Sequence, residues 1–197
     1  MANPDIRNII FDLTANAGGS QDLMSSIIGL FTGDVAIHGY NHLTKQHMQA
    51  VFTTDRNMDG VIDEKDKDVV YDYHLGVLTS HLAFSCGNLF PVIMQEKGAA
   101  VIGENTGGGS CVVQMVSLSD GPVFMMSSYQ WHLRNARGEE VENGADPDMP
   151  IERIENVNME NPYFPRLTPG DYSPYYNDEM PDQLMNEWFA EEVVPAA

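Results

Sequence analysis

Apolar positions along the chain fall into blocks of two kinds. Short continuous apolar runs with β-branched residues, closed by polar or glycine residues, predict buried strands at 7–13 (RNIIFDL), 74–84 (HLGVLTSHLAF) and 99–103 (AAVIG). Helical spacing appears in between. Ser20 is placed to cap a helix that carries Leu23, Met24, Ile27, Ile28 and Phe31 on one face. A second helix is predicted over 43–52 (LTKQHMQAVF). A third, over 86–97, carries Cys86, Leu89, Phe90, Ile93 and Met94, with Pro91 removing one backbone donor inside it. CVVQMVSL and PVFMMSSYQW flank Ser119-Asp120-Gly121, a hairpin signal. Strand, helix, strand, helix, strand and then a hairpin predict an α/β domain built in layers.

From about Asn158 the texture changes to proline, tyrosine and acidic residues. That stretch predicts an extended surface tail, closed by an amphipathic helix with Leu184, Met185, Trp188 and Phe189 on its apolar stripe. The 197 residues, 43% of them apolar, therefore divide into one cored domain, 1–157, and a tail, 158–197. No apolar run approaches the length of a membrane span, so membrane insertion is not expected. The first residues lack a basic stretch followed by an apolar one, and the chain enters a strand almost at once. It reads as a piece of something longer.

Charge narrows the partners. The net charge is -19; residues 1–138 hold 14 acids and 8 bases, whereas 139–197 hold 15 acids and 2 bases. Such a surface repels phosphate backbones and anionic lipid, and excludes nucleic acid as a natural partner. It suits secretion, calcium or cationic partners.

Residues 55–66, DRNMDGVIDEKD, fit a twelve-residue EF-hand-type loop. Asp55, Asn57 and Asp59 stand at positions 1, 3 and 5, Gly60 at the sharp turn, Val61 at the carbonyl position, Asp63 at 9 and Asp66 at 12. Oxygen donors at this spacing converge on one hard cation, so a structural Ca2+ is expected. Position 12 departs from the glutamate of sensor loops, and the loop is single, which argues for a clamp rather than a sensor.

Ser85, in HLAFSCGNLFP, ends a predicted strand and begins a predicted helix. Taken alone it is either a helix cap or a nucleophile whose oxyanion would face the amides of a helix N-terminus. Its surroundings carry further motifs in order. Asp12 to Gly19 reads DLTANAGG, Ser85 to Asn88 reads SCGN, Gly103, Glu104 and Thr106 fall in GENT, and Gly144, Pro147 and Asp148 fall in GADPD. Over about residues 7–155 this series resembles the C-terminal processing protease and tricorn protease family of serine peptidases.

The resemblance implies a crotonase/ClpP-like spiral of β-β-α units in a single domain, and peptide-bond hydrolysis of peptide or unfolded protein substrates. It implies Ser85 as nucleophile, with the N–H of Cys86 and of Gly18 or Gly19 as oxyanion donors. Glu142 would orient the base. It also implies a secreted or cell-envelope setting.

The chain departs from the family where the proton acceptor should stand. The processing proteases use a lysine in Gly-Lys-Gly-x-Val-Gln, where this chain has Ser110, and Thr14 replaces the arginine of the first loop. Lys45, Lys65, Lys67 and Lys97 lie in other segments. The tricorn branch draws its histidine and second serine from upstream of the first strand, so the base is expected from an N-terminal region outside this chain, and the fragment alone is expected to be inactive. Among local histidines, His38, His42 and His47 read as surface residues. His81 is too close along an extended strand to fold back on Ser85, and His132 is the first internal candidate. No Cys/His group has zinc spacing. The resemblance brings the loops of Cys86 and Cys111 together, where a disulfide would contribute about 3 kcal/mol; a Cys86 thiolate would need a base of its own.

Three functions compete. They are a calcium-stabilised serine endopeptidase core, a non-catalytic peptide-binding module on the same scaffold, and an acyl-CoA enzyme of the crotonase superfamily. No residue specifically supports the last.

Overall fold

The computed structural model describes residues 6–69, 71–109, 111–151 and 179–191. Among these residues the chain forms two sheets and three α-helices. A parallel sheet takes β1 (Asn8–Asp12), β4 (His74–Thr79), β5 (Ala100–Gly103) and β8 (Met149–Pro150), in that order. An antiparallel sheet orders β3 (Gln46–Phe52), β2 (Val35–Asn41), β7 (Val123–Arg134) and β6 (Cys111–Ser117). Among the described residues no helix is long and apolar enough to cross a membrane.

The parallel strands are buried on both faces, which is why they read as continuous apolar runs. Phe11, Leu13, Leu75 and Val77 turn toward α1 (Gln21–Thr32) and α2 (Cys86–Glu96), meeting Ile28, Leu89, Phe90 and Met94. The alternate positions, Ile10, Leu78, Ala100 and Ile102, face α3 (Glu179–Glu191) with its fully buried Met185. A Cβ on Gly76 would collide with the Met185 thioether, so that glycine admits the helix. Asn8 Nδ2 donates to Asp182 Oδ1 at 2.6 Å, and the Phe189 ring stacks on His74 at 4.2 Å. The predicted tail helix therefore closes the outer face of the sheet. The tail between it and Ile151 lies outside the described residues.

Two predicted elements require correction. Residues 43–52 are not a helix: Gln46–Phe52 is an edge strand paired antiparallel with β2 along its whole length. Its side chains are almost all exposed, so its apolar residues record no burial and mimic helical spacing by chance. Its partner was passed over, although Val35, Ile37, Gly39 and Asn41 are buried in strict alternation, the period of a half-buried strand. The strand predicted over 74–84 ends at Thr79. Beyond it Ser80–Ser85 form a tight connection, with Ala83 N–H donating to Ser80 O at 3.0 Å.

Candidate active site

Three loops meet at the carboxyl end of the parallel sheet, where ligands commonly bind in open α/β structures. The turn that carries Ser85 is fastened to both of its neighbours. Phe84 N–H donates to Asn16 O at 3.0 Å, Ser85 N–H to Gly108 O at 2.9 Å, and Gly107 N–H to Ala83 O at 2.8 Å. Gly18 allows this approach: a Cβ there would lie 2.7 Å from Ser85 Cβ and 3.1 Å from Ser85 Oγ.

Ser85 precedes α2 but does not cap it. Its backbone sits at φ 57° and ψ −120°, a region a residue with a Cβ rarely adopts, and its side chain makes no capping bond. Ser20, by contrast, caps α1 in the ordinary way, its Oγ accepting from Leu23 N–H at 3.4 Å. A strained strand-to-helix turn that presents a free hydroxyl has the form of a nucleophile elbow.

The hydroxyl opens on a cavity of about 240 Å³ lined by Gly19, Gln21, Cys86, Leu89, Gly109 and Leu133, among others. Gly18 N–H is engaged by Asn16 Oδ1 at 2.8 Å. The amides of Gly19 and Cys86 have no acceptor among the described residues. Cys86 Sγ lies 3.2 Å from Gly19 O, tying the two segments together. Cys86 is a free thiol, and partial burial raises its pKa despite the bond to Gly19. A free Cys86 does not carry the disulfide, and a raised pKa disfavours its thiolate.

Among the described residues no histidine or lysine lines the cavity. His132 is excluded by strand geometry. Its neighbour Leu133 turns into the core and the cavity, so His132 faces the opposite side of β7, its ring 4.4 Å from that of His42. His81 does not lie on the strand at all; it sits in the turn beyond, with Nδ1 2.9 Å from Glu104 Oε2. Glu142 meets the site through its main chain, its carbonyl accepting from Gly109 N–H at 3.1 Å. Thr14, buried, donates through N–H and Oγ1 to Asp12 Oδ1 at 2.9 and 2.6 Å. Ser110 lies outside the described residues.

The sequence reading missed the support beneath these loops. Asn88, fully buried in the first turn of α2, donates through Nδ2 to Val141 O at 2.8 Å. Its Oδ1 accepts from Thr106 Oγ1 at 2.5 Å, and Thr106 Oγ1 in turn accepts from Ala145 N–H at 2.6 Å. One polar side chain thus joins α2, the glycine-rich loop and the closing loop. A polar residue on the apolar face of a predicted helix was the available signal.

A larger cleft of about 550 Å³, lined by Glu96, Arg137, Glu139, Asp146 and Asp148 among others, has no serine, cysteine or lysine among its described lining residues.

In the acidic loop, Asp55 accepts from Asp59 and Gly60 N–H at 3.2 and 2.7 Å, and Asn57 Nδ2 donates to Asp59 Oδ2 at 3.2 Å. Asp59 Oδ1 accepts from Val61 N–H and Asp63 Oδ1 from Lys65 N–H, at 2.9 and 2.8 Å. The buried Asp66 receives three amides, those of Arg56, Asn57 and Asp63, at 2.8, 3.2 and 2.8 Å. These bonds, the Asp63 amide foremost, hold its carboxyl below the usual aspartate range against the opposing effect of desolvation. Arg56 reaches from the loop to the last carbonyls of α1, with Nε 3.2 Å from Leu30 O. The loop thereby grips one end of the helix that begins beside Gly19.

A family model, that of Peptidase family S41, matches residues 1–151. Among solved structures the chain is similar to a candidate peptidase of Parabacteroides merdae ATCC 43184 (22% identity, 76% of this chain, 46% of that one, TM-score 0.58). It is also similar to the photosystem II D1 C-terminal processing protease (16%, 75% of this chain, 35% of that one, TM-score 0.58). For the tricorn protease the identity is 22%, over 92% of this chain and 15% of that one, with a TM-score of 0.52. The chain spans less than half the length of each of these structures. No curated protein matches the chain.

Proposed function

The chain belongs to peptidase family S41, and on that premise we propose that it is the catalytic core of a serine endopeptidase acting on peptide or unfolded protein substrates. The observation that carries the reading is the Ser85 turn: a non-glycine residue at φ 57° whose hydroxyl caps nothing and opens on a cavity beside two unpaired amides. In this reading Ser85 Oγ attacks the scissile carbonyl and gives its proton to a base. The amides of Cys86 and Gly19 hold the oxyanion, aided by the positive end of α2. The base comes from a region outside this chain, a reading supported by the lack of a basic side chain at the cavity among the described residues. Glu142 orients that base, and the fragment alone is inactive. The parallel sheet with its crossover helices forms part of a crotonase-like spiral.

The acidic loop is assigned a structural Ca2+. Donor chemistry and winding support the assignment: Asp55, Asn57 and Asp59 stand together, and Met58 and Gly60 take positive φ at 59° and 87°. Asp55, Asn57, Asp59, Asp63, Asp66 and the Val61 carbonyl would hold the ion, which would supply charge neutralisation and loop closure. A calcium-rich secreted or cell-envelope setting accords with this.

The competing reading, a peptide-binding module, draws on the lack of a basic group at the cavity among the described residues. One experiment separates them. The parent protein, including its N-terminal region, is treated with a fluorophosphonate probe and assayed on an unfolded protein substrate, alongside Ser85→Ala. Labelling at Ser85 and turnover, both lost in Ser85→Ala, are expected. Substrate binding without labelling or turnover would establish the module instead.

A further inference from the structure

The outer face of the antiparallel sheet carries a second cluster of chemistry-bearing side chains, on the opposite side of β7 from the Ser85 cavity. Register explains its assembly. Tyr40 of β2 pairs with His132 of β7 on one side and with His47 of β3 on the other, so the three share a face. His42, two residues beyond Tyr40, falls on that face also, its N–H donating to Gln130 O at 2.8 Å. After β7 the chain turns back, and Glu140 bridges to Arg134.

The result is that ligand atoms of His42, His132 and Glu140 lie within 4.8 Å of one another, the only such group of three among the described residues. The two imidazoles meet edge to face, ring centres 4.4 Å apart. His42 Nε2 is buried and has no hydrogen-bond partner. A buried imidazole nitrogen left unpaired is costly, and native structures normally supply it with a partner.

We propose that His42, His132 and Glu140 form a transition-metal site, best suited to Zn2+, that clasps β2, β7 and the turn following β7. Two imidazoles and one carboxylate are a zinc donor set, whereas hard Ca2+ and Mg2+ take oxygen. Tetrahedral zinc with bonds of about 2.0–2.1 Å needs donors roughly 3.3 Å apart, so side-chain rotations must draw the group together modestly. Arg134 bears on the site from the side: Nη2 holds Glu140 Oε1 at 2.8 Å while the guanidinium lies over the Tyr40 ring at 4.8 Å. That contact occupies one carboxylate oxygen and fixes its direction, the role of an outer-shell partner, and leaves Oε2 for the ion. Sequence spacing conceals the site because His42 lies ninety residues before His132 and meets it only through strand register.

The test uses the full chain in excess Ca2+, which keeps the acidic loop out of the measurement. Zn2+ is titrated by calorimetry, and Co2+ is added to read the visible absorption of a nitrogen- and oxygen-ligated ion. A single Zn2+ per chain, a raised melting temperature and a tetrahedral Co2+ spectrum are expected. His42→Ala, His132→Ala and Glu140→Gln should each weaken Zn2+ at least about 100-fold, the upper end of what losing an outer-shell partner costs. His38→Ala and His81→Ala should leave binding unchanged. Glu140 is exposed, so its variant reports even if a histidine variant fails to fold. Absence of Zn2+ binding overturns the proposal, as does binding that persists in Glu140→Gln and His132→Ala or is lost equally in His38→Ala or His81→Ala.

Discussion

Ser85 holds φ 57° and ψ −120°, and its hydroxyl gives no capping bond in return. Alanine at this position keeps the strained backbone and removes only the hydroxyl, so Ser85→Ala should leave stability nearly unchanged, without the roughly 1 kcal/mol that loss of a true cap costs. Glycine relieves the strain. A sparsely populated backbone conformation costs about 1–3 kcal/mol, while glycine's extra unfolded-state freedom takes back about 0.5–1 kcal/mol. Ser85→Gly should therefore exceed Ser85→Ala in stability by about 0.5–2 kcal/mol, reversing the usual order of the two residues. At 2–4 °C per kcal/mol for a domain of about this size, the melting temperatures should differ by about 1–8 °C. Urea unfolding of parent, alanine and glycine chains, with equal m-values, provides the measurement. A glycine variant less stable than the alanine variant would refute the strain argument and return Ser85 to an ordinary turn residue.

Chelation should lower the melting temperature of the parent protein. Saturation at a hundred times the dissociation constant is worth about 2.7 kcal/mol, and Asp55→Ala with Asp59→Ala should abolish the response to calcium. Asp66 has a folded pKa below its ordinary value of 3.8, so its stabilising contribution is complete above that value and lost as pH falls through the lower folded one. In chelator, Asp66→Asn should lose stability at neutral pH and show a flatter acid limb below 3.8, read by urea midpoints across pH. Asn88→Ala should cost about 1–3 kcal/mol for each buried group left unpaired, and should lower turnover of the parent enzyme by loosening three loops at once. An unfolding midpoint equal to that of the parent would remove Asn88 from its structural role.

Much of the architecture was legible locally. β1, β4 and β5 announce themselves as apolar runs because strands covered on both faces have no polar side. The cap at Ser20, the apolar stripe of α3 and the Ser119-Asp120-Gly121 hairpin are set by interactions within a few residues, so pattern reaches them. The order of the loop motifs around Ser85 identified the family, since those residue types serve one site whatever lies between them.

Other features depend on which segments meet. Helical spacing over 43–52 could not reveal an edge strand, because β3 is defined by its partner β2 and not by burial of its own. The placing of the Ser85 turn depended on contacts with Asn16 and Gly108, far off in sequence. The Asn88–Thr106 link and the convergence of His42, His132 and Glu140 are of the same kind. Local propensity and periodicity act over one turn of helix or two residues of strand; a site drawn from several loops takes its geometry from strand register and loop packing, which exist only once the chain has folded.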